Sequence, residues 1–511
     1  MDSQLVRARV RAALPATLLV VLSVASRFPA LLNARATNSD AAVVGLQAMH
    51  LLRGEWSPFL WGSSYQTSAD GMVAALFFLV LGKTALALMV SSLSLHVLLT
   101  YLAFRVLRPH VRSPWTAFSA TLPLVFTTAC LHSYALYPPR QLALTLAFGA
   151  LAAFESGGRA AAPRRRFALG GMLAMLSWAA DPYAMLLLPP LAVFALLSLP
   201  KGERAPSLGA LAVGTSVGSL PLMGLLLHPR AQHGVTQLRT SVIAHNWKLF
   251  AEDCCPWALG SKIYRPVHMM DYAPVDVPGA LHAMQVGGVL LFFVLIFHSA
   301  WLVLRRSTEP GLARLFAFGF TALAVTVASF QLSVMVMDHF SMRYLAAMIL
   351  GFPFLVAPAL EHLRLRRGVA MLVPYLAVAG AAGWISHGPY VKGPRPVLCD
   401  AGRGADEAHL RDALASRGVT AAMADYWSAY RLTFLFREAI PVVPLHETQD
   451  RYRPYRDTYA NAKTVAYVFD SLRSFEDRDK TLADFRADAT LEAEGDPIVA
   501  GPFTAYVFRR R

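Results

Sequence analysis

HAMQVGGVLLFFVLIFHSAWLVLRR, residues 282–306, reads as one membrane crossing. It runs without a single Asp, Glu, Lys or Arg until it closes on Arg305 and Arg306. About 20 mostly apolar residues in a helix cover the hydrocarbon core of a bilayer. Working outward, similar runs occupy 13–33, 85–107, 115–132, 139–155, 167–181, 183–199, 207–227, 312–336, 344–361 and 368–386, so eleven spans are predicted. Composition agrees. The chain has 511 residues, 55% of them hydrophobic and only 15% charged, where soluble proteins carry roughly 25%.

The arginines orient these spans. Lys and Arg collect in loops on the cytoplasmic side of polytopic proteins. With the N-terminus inside, the inner loops hold Arg105, Arg108 and Arg112; Arg159, Arg164, Arg165 and Arg166; Lys201 and Arg204; Arg305 and Arg306; and Arg364, Arg366 and Arg367. The short outer loops keep little beyond Arg140 and Arg343. This alternation places the loops 34–84 and 228–281, and everything after 386, outside. It also accounts for much of the net charge of +15. Spread between spans, that charge argues against a nucleic-acid partner, which needs it on one folded surface. The run 13–33 is long enough to span and lacks a convincing cleavage site, so it is read as a retained first helix.

The apolar piece 70–82 is too short to cross and would break the alternation, so it is predicted to lie along the outer interface. After 386, charge and turn residues return. Strands are predicted at 397–399, 420–423, 440–443, 464–469 and 504–508, with helices at 405–417, 426–438 and 475–487. That pattern makes a small α/β domain over 387–511. The domains are therefore a transmembrane part, 1–386, and this extracytoplasmic tail. Cys130, Cys254, Cys255 and Cys399 show no zinc-site spacing, and any disulfide pairing is open.

Ionisable residues at the ends of spans need a reason to be there. Asp40 follows the first span. It reads either as a helix cap, with Ser39, for a helix reaching about Arg53, or as a general base at the membrane surface. Arg140 and Arg343 stand at outer span ends, where they could grip a lipid phosphate bidentately or snorkel to phospholipid headgroups. Lys83 is a weaker third cation. Asp338 could pair with Arg343, and His339 in the same turn could touch a sugar. Tyr65 and Trp61 could stack on a sugar face or anchor the interface. Asp181 reads as a contact or as the cap of the helix beginning at Pro182. His245, Trp247 and Lys248 are further candidate contacts without a motif.

The stretch NSDAAVVGLQAMHLLRGEWSPFLWGSSYQTSADGMVAALFFLVLG, residues 38–82, resembles the first outer loop of bacterial membrane glycosyltransferases of the glycosyltransferase-C fold. These include protein mannosyltransferase-like and aminoarabinose-transferase-like enzymes. ADPYAMLLLPPLAVFALL (180–197), SMRYLAAMILGFPFLVA (341–357) and ADYWSAYRLTFLFREAIPVVP (424–444) extend the resemblance along the chain. The resemblance implies that Asp40 is the catalytic carboxylate and that Asp70 takes the family's later acidic position. It implies an inverting transfer of a hexose or pentose from a polyprenyl-phosphate donor to an envelope lipid, glycan or protein, at the outer face of a bacterial inner membrane. Arg343, Arg140, Asp70, Tyr65, His339 and Lys83 are then the candidate contacts to donor and lipid phosphate. Where many relatives carry Asp-Glu, this chain has Asp40-Ala41, so the second carboxylate is missing. No cofactor is implied with certainty, and a divalent metal stays open. Two other classes compete: a transporter or lipid flippase, against which no repeated halves are found, and a non-catalytic membrane protein whose tail binds a partner.

Overall fold

The computed structural model describes residues 3–32, 34–228, 238–268, 271–386 and 401–511. Each predicted span carries helix. Among the described residues six helices are long and apolar enough to cross a membrane: Ala85–His110, Lys201–Leu226, Gly279–Leu304, Pro310–Leu332, His339–His362 and Leu365–Ser386. The other predicted spans fall on shorter or interrupted helices, so length and composition alone support six of the eleven. Ser3–Ala25 stops before Ser26, and the predicted span 115–132 divides into Pro114–Val125 and Ala129–Leu136.

A buried arginine explains how that division is tolerated. A helix that stops within hydrocarbon strands its last carbonyls, and each unsatisfied group there costs several kcal/mol, of order 2–7. Arg27 is fully buried. Its guanidinium donates to the Leu124 carbonyl at 3.1 Å, to Thr127 Oγ1 at 3.2 Å and to the Val125 carbonyl. Hydropathy does not show this partnership, because donor and acceptors lie about 100 residues apart.

The span His339–His362 is buried along nearly all its length and packs against Pro310–Leu332, Gly279–Leu304 and Pro114–Val125. Lys201–Leu226 lies at the periphery, with most of its surface free for lipid. It is held by close approach to Arg164–Ala180. A Cβ on Gly214 would meet the Ala168 carbonyl oxygen at 1.9 Å, and one on Gly218 the Met172 oxygen at 2.4 Å. Lipid supplies no hydrophobic drive between helices, so small residues gain the contact.

The tail is the expected α/β layer. Its sheet runs in the order Val442–Pro444, Ala421–Ala424, Thr464–Asp470, Phe503–Arg510, Leu491–Ala493. The first three strands are parallel, and Phe503–Arg510 is antiparallel to Thr464–Asp470. The predicted helices form as Ala401–Ser416, Tyr426–Leu435 and Arg478–Ala487. The predicted strand 397–399 lies outside the described residues, as does Cys399. The sequence reading missed the helix Arg453–Asn461, the strands Leu491–Ala493 and Ile498–Ala500, and the two loop hairpins, Phe59–Leu60 with Ser63–Thr67 and Tyr264–His268 with Asp271–Pro274.

The two faces of this sheet differ. One packs Leu410, Leu414, Leu432 and Val442 into a core of the tail's own. The other puts Tyr430, Phe434, Val465 and Tyr467 into one apolar cluster with Ala41–Met49 and Phe78 of the first loop. Phe434 stacks on Phe78. Polar contacts seal the edge. Arg431 is fully buried, donates to the Arg35 carbonyl at 2.8 Å and pairs with Glu407. Burial, and then the nearby Arg473, hold its pKa down to about 10, so it stays charged at neutral pH. Glu407 is otherwise met by the half-exposed Arg35 at 3.1 Å.

Breaking one partner of a buried pair costs about 3–5 kcal/mol. Arg431→Met is therefore expected to lower hydrogen-exchange protection in the strands Ala421–Ala424 and Thr464–Asp470. Unchanged protection there contradicts this role.

Candidate active site between the first loop and the tail

Asp40 sits in the first turn of the helix Ser39–Leu51. Neither it nor Ser39 is the cap, which corrects one sequence expectation. Asn38 caps the helix, its Oδ1 accepting from the Ala41 N–H at 2.8 Å. Ser39 instead donates to the Tyr426 carbonyl at 2.6 Å, which ties the helix to the tail. Freed from capping, the Asp40 carboxylate is 44% exposed. Its Oδ1 accepts from the Tyr426 hydroxyl, and the Arg451 guanidinium lies 3.7 Å away. Burial, and then the negative charge of Asp40, push the Tyr426 hydroxyl well above its usual range, so it stays a donor. Burial opposes the charge on Arg451, but Tyr426 and Asp40 outweigh it and raise the Arg451 pKa.

A second, buried cluster gathers around Arg140. Arg140 takes a left-handed backbone conformation, φ 105°, ahead of the helix Gln141–Gly158. For a non-glycine residue that costs about 1–3 kcal/mol. Two carboxylates hold it: its N–H reaches Asp70 Oδ2 at 3.5 Å, and its Nε lies 3.3 Å from Asp181 Oδ2. Its Nη1 donates to the Tyr134 hydroxyl at 2.7 Å. Asp181 also accepts from Gln66 Nε2 at 2.9 Å and, as the expected cap, from the Tyr183 N–H at 2.7 Å. Asp70 opens the helix Ala69–Leu81, whose 13 residues are too few to span.

Arg343 approaches the same place from the turn His339–Leu345. Its charge and that of Arg140 both reach the Tyr134 hydroxyl. It lies over the rings of Phe340 and Tyr344, 4.5 and 4.7 Å from their centres, and donates to the Tyr344 hydroxyl at 3.0 Å. Among the described residues it has no carboxylate partner. The expected pairing with Asp338 does not form. Asp338 caps the turn, accepting from the Ser341 N–H at 3.1 Å.

Asp40, Asp70, Arg140 and Arg343 thus belong to linked elements. The helix of Asp40 packs on that of Asp70, with Gln47 against Gly71, and Asp70 meets Arg140. Tyr65 lies on the hairpin strand Ser63–Thr67, half exposed, within electrostatic reach of Arg451.

The other candidates fall elsewhere. Trp61 is buried and stacks on Tyr452 of the tail at 3.9 Å, so its face is not open to a sugar. His339 stacks on Tyr264 at 5.1 Å, and Lys83 is exposed on the link after Gly82. Trp247 stacks on Phe250, while His245 and Lys248 are exposed on the same short helix. Cys130, Cys254 and Cys255 are unpaired. Sequence reasoning missed Tyr426, Arg451, Tyr134 and Gln66.

A divalent metal does not fit these residues. Asp70 faces the backbone N–H of Arg140, and Asp181 already takes the Arg140 guanidinium, Gln66 and the Tyr183 N–H. Among the described residues no group of three or more His, Cys, Asp or Glu could hold a metal ion.

No family model matches the chain, and no curated protein does. Solved structures do resemble it. The crystal structure of ArnT from Cupriavidus metallidurans in the apo state matches at a TM-score of 0.48 and 12% identity, over 96% of this chain and 98% of that one. An Archaeoglobus fulgidus oligosaccharyltransferase in complex with zinc and sulfate matches at 0.47 and 12%, over 89% of this chain and 67% of that one. AglB from the same organism, with an inhibitory peptide and a dolichol-phosphate, matches at 0.45 and 11%, over 89% and 69%. At these values the roles of individual residues rest on the geometry of this chain alone.

Proposed function

We propose that this chain is a glycosyltransferase that moves one sugar from a polyprenyl-phosphate donor to a cell-envelope acceptor, with inversion, at the outer face of a bacterial inner membrane. The observation that carries the reading is Arg343: a half-buried guanidinium with no carboxylate partner among the described residues, on Tyr344 and sharing Tyr134 with Arg140. A cation held without a counter-charge at the end of a membrane span suits a phosphate, which supplies the missing charge and bidentate acceptors. Arg140 is already balanced by Asp181, so its part is to hold Tyr134 and donate from what remains of its fork.

The chemistry then divides between two ends. Asp40 takes the proton from an acceptor hydroxyl. The acceptor oxygen bonds to the anomeric carbon from the face opposite the leaving group. The bond from that carbon to the phosphate oxygen breaks, and its electron pair leaves with the lipid phosphate. Negative charge grows on that phosphate as the bond lengthens, and Arg343 stabilises it there. No metal enters this sequence.

Full-length protein in nanodiscs, given a panel of undecaprenyl-phosphate monosaccharides and an envelope extract, tests the reading. Release of undecaprenyl phosphate coupled to a sugar-bearing product is expected. Movement of the lipid across the bilayer with its sugar intact contradicts it and favours a flippase.

A further inference from the structure

Asp40 is held from one side only, and the groups that hold it come from the tail. Its Oδ1 takes the Tyr426 hydroxyl and faces Arg451, whereas its Oδ2 has no hydrogen-bond partner among the described residues. The arginine is itself aimed. Its Nε donates to the Tyr426 hydroxyl at 3.0 Å and its Nη1 to the Gly62 carbonyl at 2.9 Å, while its backbone N–H donates to the Tyr430 hydroxyl at 2.5 Å. Gly62 makes the crossing possible. Its φ is +69°, and a Cβ there would meet Arg451 Cδ at 2.2 Å. Trp61, next to it, stacks on Tyr452, the neighbour of Arg451. The hairpin of the first loop and the segment 451–452 of the tail therefore interlock around one carboxylate.

We propose that the tail is part of the catalytic apparatus: Tyr426 and Arg451 are positioning residues that fix Oδ1 of Asp40 and leave Oδ2 directed at the acceptor hydroxyl. This rests on reading Asp40 as the base. A carboxylate free to rotate presents either oxygen in many directions, and a misplaced catalytic group loses rate steeply. Holding one oxygen leaves the other in one orientation. The base is then complete only while the tail is docked.

Release of undecaprenyl phosphate from the undecaprenyl-phosphate monosaccharide panel, by full-length protein in nanodiscs with envelope extract, reads the effect. Tyr426→Phe keeps the ring and removes only the hydroxyl. It is expected to lower kcat by about 10- to 100-fold, from the loss of one hydrogen bond to a charged group, with KM for the donor and the unfolding temperature unchanged. Arg451→Gln is expected to act in the same direction, and Arg451→Lys to recover part of the loss. A merely structural role moves the unfolding temperature with the activity, so Tyr452→Leu, which removes the stacking on Trp61, calibrates that effect. Tyr426→Phe and Arg451→Gln at wild-type kcat, with Asp40→Asn inactive, overturn the positioning role alone. An active Asp40→Asn overturns the base, and the positioning role with it.

Discussion

Asp40→Asn is expected to lower sugar transfer by about 10²- to 10⁴-fold, the usual contribution of a general base, and to leave the protein folded. The substitution is nearly isosteric. Asparagine still offers an oxygen to the Tyr426 hydroxyl, so the contact that joins the first loop to the tail survives. The helix keeps its start as well, because Asn38, not Asp40, caps it. What disappears is the group that can accept a proton and the negative charge facing Arg451. The comparison is made on initial rates from equal amounts of protein with matched unfolding temperatures. Wild-type rates in the variant remove Asp40 from the chemistry. Low rates that track a fall in unfolding temperature assign it a structural part instead.

Arg343→Gln is expected to weaken the binding of undecaprenyl phosphate and to lower transfer by about 10²- to 10³-fold, as when one donor to a developing oxyanion is removed. The fold should absorb the change. Among the described residues no carboxylate depends on Arg343, so its removal strands no buried charge there, and the ring contacts with Phe340 and Tyr344 contribute only about 0.5–2 kcal/mol. Arg343→Lys should fall between, since an ammonium keeps the charge but not the planar fork. Undecaprenyl phosphate should raise the unfolding temperature of the wild type and not that of Arg343→Gln. Equal stabilisation of both moves the phosphate to another place.

Arg431 offers a control on the architecture beside these. It touches neither Asp40 nor Arg343, and its loss should loosen the tail first.

The membrane part was legible because its signal is local. Each span is a continuous apolar run, and the arginines that end the runs sit next to them in sequence, so helices appear where expected. The breaks were not legible. Arg27 closes the end of Pro114–Val125 across about 100 residues, and no window sees both. The expectation for Asp338 failed for a similar reason. Its carboxylate had a nearer use, the N–H of Ser341, than the arginine beyond it. Trp61 read as an exposed interfacial aromatic because nothing local announces that Tyr452 covers it.

The candidate site was half legible. Asp40, Asp70, Arg140 and Arg343 stand out as charges at the ends of apolar runs, and the sequence reading named all four. Tyr426 and Arg451 did not stand out. In a charged tail a tyrosine and an arginine are ordinary, and only the tertiary fold carries them roughly 400 residues back to Asp40. Tyr426 lies within the stretch 424–444 that carries part of the resemblance, but nothing there marks it out.

The central claim is that Asp40 and Arg343 serve one bound substrate. A structure of the full-length protein in nanodiscs with undecaprenyl phosphate tests it most directly. Phosphate density within hydrogen-bond distance of the Arg343 guanidinium, with the prenyl chain leaving between helices into lipid on the face that carries Asp40, is the expected result. Phosphate bound at the opposite ends of the spans, among Arg305, Arg306 and Arg364, contradicts it.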